Sequence, residues 1–132
     1  MNTEPIQASY GRCLRDRNFI TGFYQRLQGK DPEVEQMFAH TNWPQQQKAL
    51  RRGISAALTF AGGSNIVQGM MEQMAEVHSR RGRAPVPPDY YTYWMDSLME
   101  SVREHDPKLT PKLEAAWRDA LEVTCRFFID RY

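Results

Sequence analysis

Three residues carry chemistry that an ordinary core does not need. His78 closes the segment Met70-Met71-Glu72-Gln73-Met74-Ala75-Glu76-Val77-His78. Val67, Met70, Met71 and Met74 lead to it along one helical face, while Gln68, Glu72, Gln73 and Glu76 fall elsewhere. Gln46 lies four residues before Leu50 and heads the stripe that Leu50, Ile54, Ala57 and Leu58 continue. Tyr24 is bracketed by Ile20 and Leu27. An imidazole can ligate a metal, and a phenol and an amide can donate hydrogen bonds. Each also has an ordinary account: a buried tyrosine bonded to a carbonyl, a glutamine exposed near a helix start, a histidine satisfied inside a core. Methionines at helical spacing are usually core filler. A buried polar group nevertheless needs a partner. Three of them on separate apolar faces suggest one shared partner, such as a ligand held between helices.

The elements that must position them read as helices. Thr3 can cap a first helix, with Glu4 and Pro5 in its first turn. A second, about Asp16 to Gln28, carries Phe19, Ile20, Phe23, Tyr24 and Leu27. Asp31, Pro32 and Glu33 start a short third helix that ends near Phe38. Asn42 or Thr41 caps a fourth, from near Pro44 to Gly62-Gly63. The spacing predicts a fifth helix begun by Ser64 and carrying His78, stopped by the run Gly82-Arg83-Ala84-Pro85-Val86-Pro87-Pro88. Pro87 or Pro88 starts a sixth through about His105, and Thr110-Pro111 starts the last. No segment alternates as a half-buried strand does. Seven helices over residues 1–132 make an all-α fold in a single domain.

The bulk properties remove several classes. Lys plus Arg is 17 and Asp plus Glu 16, a net charge of +1 that makes no case for nucleic acid. No apolar run reaches membrane-spanning length, and the N-terminus lacks the apolar core of a signal peptide. The expected setting is cytoplasmic, with Cys13 and Cys125 reduced and no metal-binding cysteine spacing. His40 and His105 fall at loop or helix-end positions and receive no role.

The order and spacing of these segments resemble the globin family, specifically bacterial single-domain haemoglobins and the globin part of flavohaemoglobins. The likeness runs from about Phe19 to Tyr132. The segment Phe23 to Phe38 resembles the B and C helices, with Tyr24 at the distal tyrosine and Phe38 at the phenylalanine that packs on the haem. Trp43 to Leu50 resembles the start of the E helix, which puts Leu50 over the iron and Gln46 at the distal position. Met71 to His78 resembles the F helix. Val86 to Val102 and Leu113 to Tyr132 resemble the G and H helices.

The resemblance implies a three-on-three helical fold around haem b, with His78 as the iron ligand. Met74 would lie under the porphyrin, Val86 at its edge, and Leu50 and Ile54 over the opposite face. Tyr91, or alternatively Tyr90, would be the partner tyrosine on the G helix. Arg80, Arg81 or Arg83 would meet the propionates unless solvated. Oxygen held at a haem carries partial negative charge, so Tyr24, as the main donor, and Gln46, as the second, would retain it. Nitric oxide and carbon monoxide are further expected ligands.

Two departures from the pattern enter the expectation. The loop between His78 and Val86 is about three residues longer than in flavohaemoglobins. No glutamate matches the one that flavohaemoglobins place late in the H helix, and no flavin or nicotinamide module accompanies the helices. The expected activity is therefore tight oxygen binding, with nitric oxide dioxygenation fed by a separate reductase. The alternatives are a stand-alone haem gas sensor and a haem-free interaction module.

Overall fold

The computed structural model describes residues 1–132 and consists of seven helices without strands. They are α1 (Glu4–Cys13), α2 (Asn18–Gln28), α3 (Pro32–Met37), α4 (Trp43–Ala61), α5 (Gln68–His78), α6 (Tyr90–His105) and α7 (Pro111–Asp130). Their starts follow local chemistry. Asp31 accepts from the Glu33 N–H, Asn42 from Gln45 and Thr110 from Leu113, each with a proline in the first turn. Gly63, at φ 90°, lets the chain leave α4.

Three boundaries differ from expectation. Thr3 holds the position before α1 but its hydroxyl caps nothing; the Asn2 side chain accepts from the Glu4 N–H instead. Asp16 likewise accepts from Asn18, so α2 begins two residues later than its apolar pattern suggested. Ser64 accepts only from Ile66 and closes a turn; α5 begins at Gln68. The exposed Ile66 marks this segment as lying outside the packed face.

α2 packs mainly on α6, and α4 on α7. Between them lies the larger core, where Phe19, Phe23, Ile54, Leu98, Trp117 and Leu121 are fully buried. A smaller cluster of Ala56, Met71, Ala75, Tyr91, Cys125 and Phe128 fastens α5 to α6 and α7. Cys13 and Cys125 sit in different clusters and are both free.

One polar knot closes the far side. The Asp106 carboxylate accepts from Arg12 Nε at 2.6 Å and Nη2 at 2.9 Å, from the Ser9 hydroxyl at 2.5 Å and from the Lys108 N–H at 2.9 Å. Ser9 in turn accepts from the Trp117 indole at 2.9 Å. This network ties α1, the end of α6 and α7 together around a carboxylate that is itself buried. No helix of the chain is long and apolar enough to cross a membrane.

Candidate functional site

A cavity of about 1200 Å³ opens between the two core clusters. This exceeds the range of roughly 300–1000 Å³ usual for small-molecule sites, and its walls are mostly apolar. Tyr24, Phe38, Gln46, Leu50, Met74, His78, Val86 and Tyr91 all line it, although they come from six segments of chain.

Ile54 does not line it. That side chain is wholly buried in the larger core, and Gly53 and Ala57 face the cavity in its place. The cavity face of α4 runs through Gln46, Ala49, Leu50, Gly53 and Ala57. It keeps Gln46, Leu50 and Ala57 of the stripe the apolar pattern marked, but takes in Ala49 and Gly53 in place of Ile54 and Leu58. The pattern reports burial, and on a helix buried on two sides burial does not say which side holds the ligand.

On one wall the Tyr24 ring is held edge-on by Phe23, Phe38 and Trp43, at centroid distances of 5.0, 5.6 and 5.1 Å. Its hydroxyl donates to the main-chain carbonyl of Gln46 at 3.2 Å and accepts from Gln46 Nε2 at 3.1 Å. Burial pushes the phenol up to about 12, only partly offset by the Gln46 bond, so it is protonated at neutral pH.

His78, the last residue of α5, lines the same cavity. Its ring lies edge-on to Phe128, and its Nδ1 is enclosed without a hydrogen-bond partner. Burial, reinforced by the nearby Arg83 charge, lowers the imidazole pKa. The ring is therefore neutral at pH 7, the form that ligates metals. The main chain beyond it folds back: Ala84 N–H donates to the Val77 carbonyl and Val86 N–H to that of His78. These bonds satisfy carbonyls of the last helical turn. Gly82 sits beneath that turn, and a methyl group there would run into the carbonyl oxygens of Glu76 and Val77.

Both candidate tyrosines of α6 line the cavity, but their surroundings differ. Tyr91 is buried against Phe128, with ring centroids 6.0 Å apart. Tyr90 turns its hydroxyl to Glu33 on α3. The arginines also separate. Arg83 lines the cavity, whereas Arg80 donates through its main-chain N–H and Nε to the Tyr132 carbonyl and lies over that ring, and Arg81 does not reach the cavity.

Sequence reasoning missed two groups. Lys48 and Arg52, exposed and four residues apart on α4, line the cavity with Arg83. None of the three is in an ion pair, and the cavity wall contains no carboxylate. Like charges at this helical spacing repel, and that repulsion was a readable signal. Thr124 and Cys125 of α7 also reach the wall; the Thr124 hydroxyl is buried without a partner, and burial pushes the Cys125 thiol up to about 12. Nothing in the sequence marked them, since their place depends on how α7 crosses α5.

No family model matches the chain. It is 28% identical over 132 residues to the flavohaemoproteins of Bordetella pertussis, Bordetella parapertussis and Bordetella bronchiseptica. That match takes in 98% of this chain and 31% of each relative, so the chain spans about a third of their length. A crystal structure from Pseudomonas aeruginosa PAO1, described as structurally highly homologous to a human haemoglobin, matches with a TM-score of 0.91 and 28% identity. The overlap covers 98% of this chain and 97% of that one. The fold is that of the globins, and the match extends over nearly all of the chain, beyond the stretch from about Phe19 to Tyr132 in which the sequence resembled them.

Proposed function

We propose that this chain holds a b-type haem between Tyr24–Gln46 and His78 and binds dioxygen on the Tyr24 side. One observation carries the reading. A single, mostly apolar cavity is lined both by a buried histidine whose Nδ1 has no partner and by a hydrogen-bonded tyrosine–glutamine pair. His78 is the one imidazole on the cavity wall, a donor set that fits a metal carried in a macrocycle and taking one protein ligand. The names of the relatives point the same way.

When bound, the haem supplies reversible oxygen binding and one-electron redox chemistry. His78 would hold the iron from α5. Phe38, Leu50, Met74 and Val86 would enclose the ring and keep water out. Tyr91 would support the His78 side through Phe128. Lys48, Arg52 and Arg83 would receive the carboxylate arms of the ring at the mouth. The Tyr24–Gln46 pair would retain a ligand that gains negative charge. A hydrogen bond of that kind is worth roughly 1.5–3 kcal/mol, about ten- to a hundredfold in residence time.

Tight retention suits chemistry better than easy release. The activity supported best is oxidation of nitric oxide to nitrate, with electrons from a separate reductase. Two measurements test this. The purified protein should show an intense haem spectrum that changes between ferrous, oxygenated and ferric forms. The oxygenated 132-residue chain, mixed with nitric oxide, should yield one nitrate per haem and then stay ferric until reductase is added. An absence of haem absorption sinks the first claim, and slow or substoichiometric nitrate sinks the second.

A further inference from the structure

We infer that His78 is a releasable ligand: nothing in the chain braces its second ring nitrogen, so it holds a haem iron weakly and gives it up to nitric oxide but not to carbon monoxide or dioxygen. This inference rests on the haem reading above and goes beyond it. It starts from the tautomer. His78 lines the cavity with Nδ1 enclosed. That leaves Nε2 as the nitrogen for a metal and puts the proton of the neutral ring on Nδ1. The enclosed N–H has no acceptor within hydrogen-bond distance. A histidine that ligates a metal almost always donates its other N–H to a carboxylate, a carbonyl or water, and that bond both orients the ring and raises its basicity.

The usual acceptors are all engaged elsewhere or missing from the cavity. Its wall has no carboxylate. Arg83, the charged group that acts on the ring, has no lone pair to offer. The last carbonyls of α5 are taken by the loop behind them. That of Glu76 accepts from the Ser79 N–H at 3.2 Å and its hydroxyl at 2.8 Å, that of Val77 from Ala84 at 3.1 Å, and that of His78 from Val86 at 3.0 Å. Tyr91 meets Phe128 with its ring and leaves Nδ1 unbonded. Orientation of the imidazole falls to the edge of Phe128, which supplies packing and no charge. An unassisted imidazole gives less electron density to a metal. Its buried N–H also stays unsatisfied for as long as the ring is held, a penalty that ends when the ring lets go and turns to water. Nitric oxide on ferrous iron weakens the bond opposite it far more than carbon monoxide or dioxygen does, because its odd electron enters an orbital directed along that axis. A braced histidine resists that pull, and His78 has no brace.

The test uses the haem-loaded, ferrous wild-type chain, prepared with ordinary histidine and with histidine labelled with nitrogen-15. With nitric oxide in the absence of oxygen, the electron paramagnetic resonance signal should be split by the nitrogen of nitric oxide alone and should not respond to the histidine label. The absorption spectrum should become that of five-coordinate haem. With carbon monoxide, and with dioxygen, the absorption spectrum should stay six-coordinate. A second nitrogen splitting that responds to the label overturns the inference, and loss of the histidine with carbon monoxide overturns its selectivity. His78→Gly checks the cause. It is supplied with 4-methylimidazole or with its isomer 1-methylimidazole, of which only the first carries an N–H when bound. Their iron–nitrogen stretches, read by resonance Raman, should differ no more in the protein than for free haem in an aprotic solvent. A distinctly higher frequency for 4-methylimidazole in the protein would reveal an acceptor and overturn the inference. Wild-type protein that takes up no haem would instead overturn the cofactor reading, an outcome visible before any gas is added.

Discussion

The imidazole of His78 meets the ring of Phe128 edge-on, with centroids 5.8 Å apart and planes at 86°. Phe128 also packs on Tyr91 and Phe127, so α7 sets the tilt of the histidine that α5 supplies. Phe128→Ala should therefore act twice. Truncating a buried phenylalanine costs about 3–5 kcal/mol, which urea unfolding would report as a lower midpoint. The same change frees the His78 ring, and haem transfer to an acceptor apoprotein should become faster. Unchanged transfer would mean that Phe128 serves packing alone.

His78→Gly tests ligation with little added bulk. The variant should lose most of its haem, and millimolar imidazole should restore a spectrum close to wild type. Extraction into acidified organic solvent should remove the haem from the wild-type protein, since the sequence has no Cys-x-x-Cys-His site for covalent attachment. Full haem retention without imidazole would show that His78 is not the ligand.

The three mouth cations predict a dependence on the ligand's carboxylates. Lys48→Gln, Arg52→Gln and Arg83→Gln should each speed the loss of ordinary haem by a few-fold, an exposed pair being worth about 0.2–1 kcal/mol. With haem dimethyl ester, whose carboxylates are masked, the same substitutions should change nothing. Equal effects on both would assign these residues to the protein's own packing.

Asp106 predicts how the fold responds to acid. Hydrogen bonds from Arg12, outweighing the cost of burial and aided by Ser9 and the Lys108 N–H, hold its carboxyl at about 2 against an ordinary 3.8. The folded-state value lies below the unfolded one, so the stabilisation is complete above about pH 4 and disappears as pH falls toward 2. It amounts to about 2 kcal/mol. Urea titrations from pH 6 to pH 2.5 should show the loss in the wild type. Asp106→Asn should be less stable at pH 6, and its deficit should shrink toward pH 2.5. A constant deficit would show that the charge contributes nothing.

What was legible in the sequence follows the range of the forces involved. Asp31, Asn42 and Thr110 announced their helices because a cap is made within three residues. Ser64 misled for the same reason, since its hydroxyl serves a local turn as readily as a helix start. The cavity-lining residues Tyr24, Gln46 and His78 were visible because each sits on an apolar stripe. Ile54 was misplaced because α4 is buried on two sides. The direction of the Tyr24 proton was beyond reach, since it depends on where one carbonyl of α4 falls against α2.

Arg80 has a practical consequence. It stands two residues past His78 and grips the Tyr132 carbonyl through its backbone and side chain. Strain applied at Tyr132 would therefore be passed to the loop that follows His78. By the same lever, a reporter placed at Tyr132 itself would sit where movement of that loop could be watched.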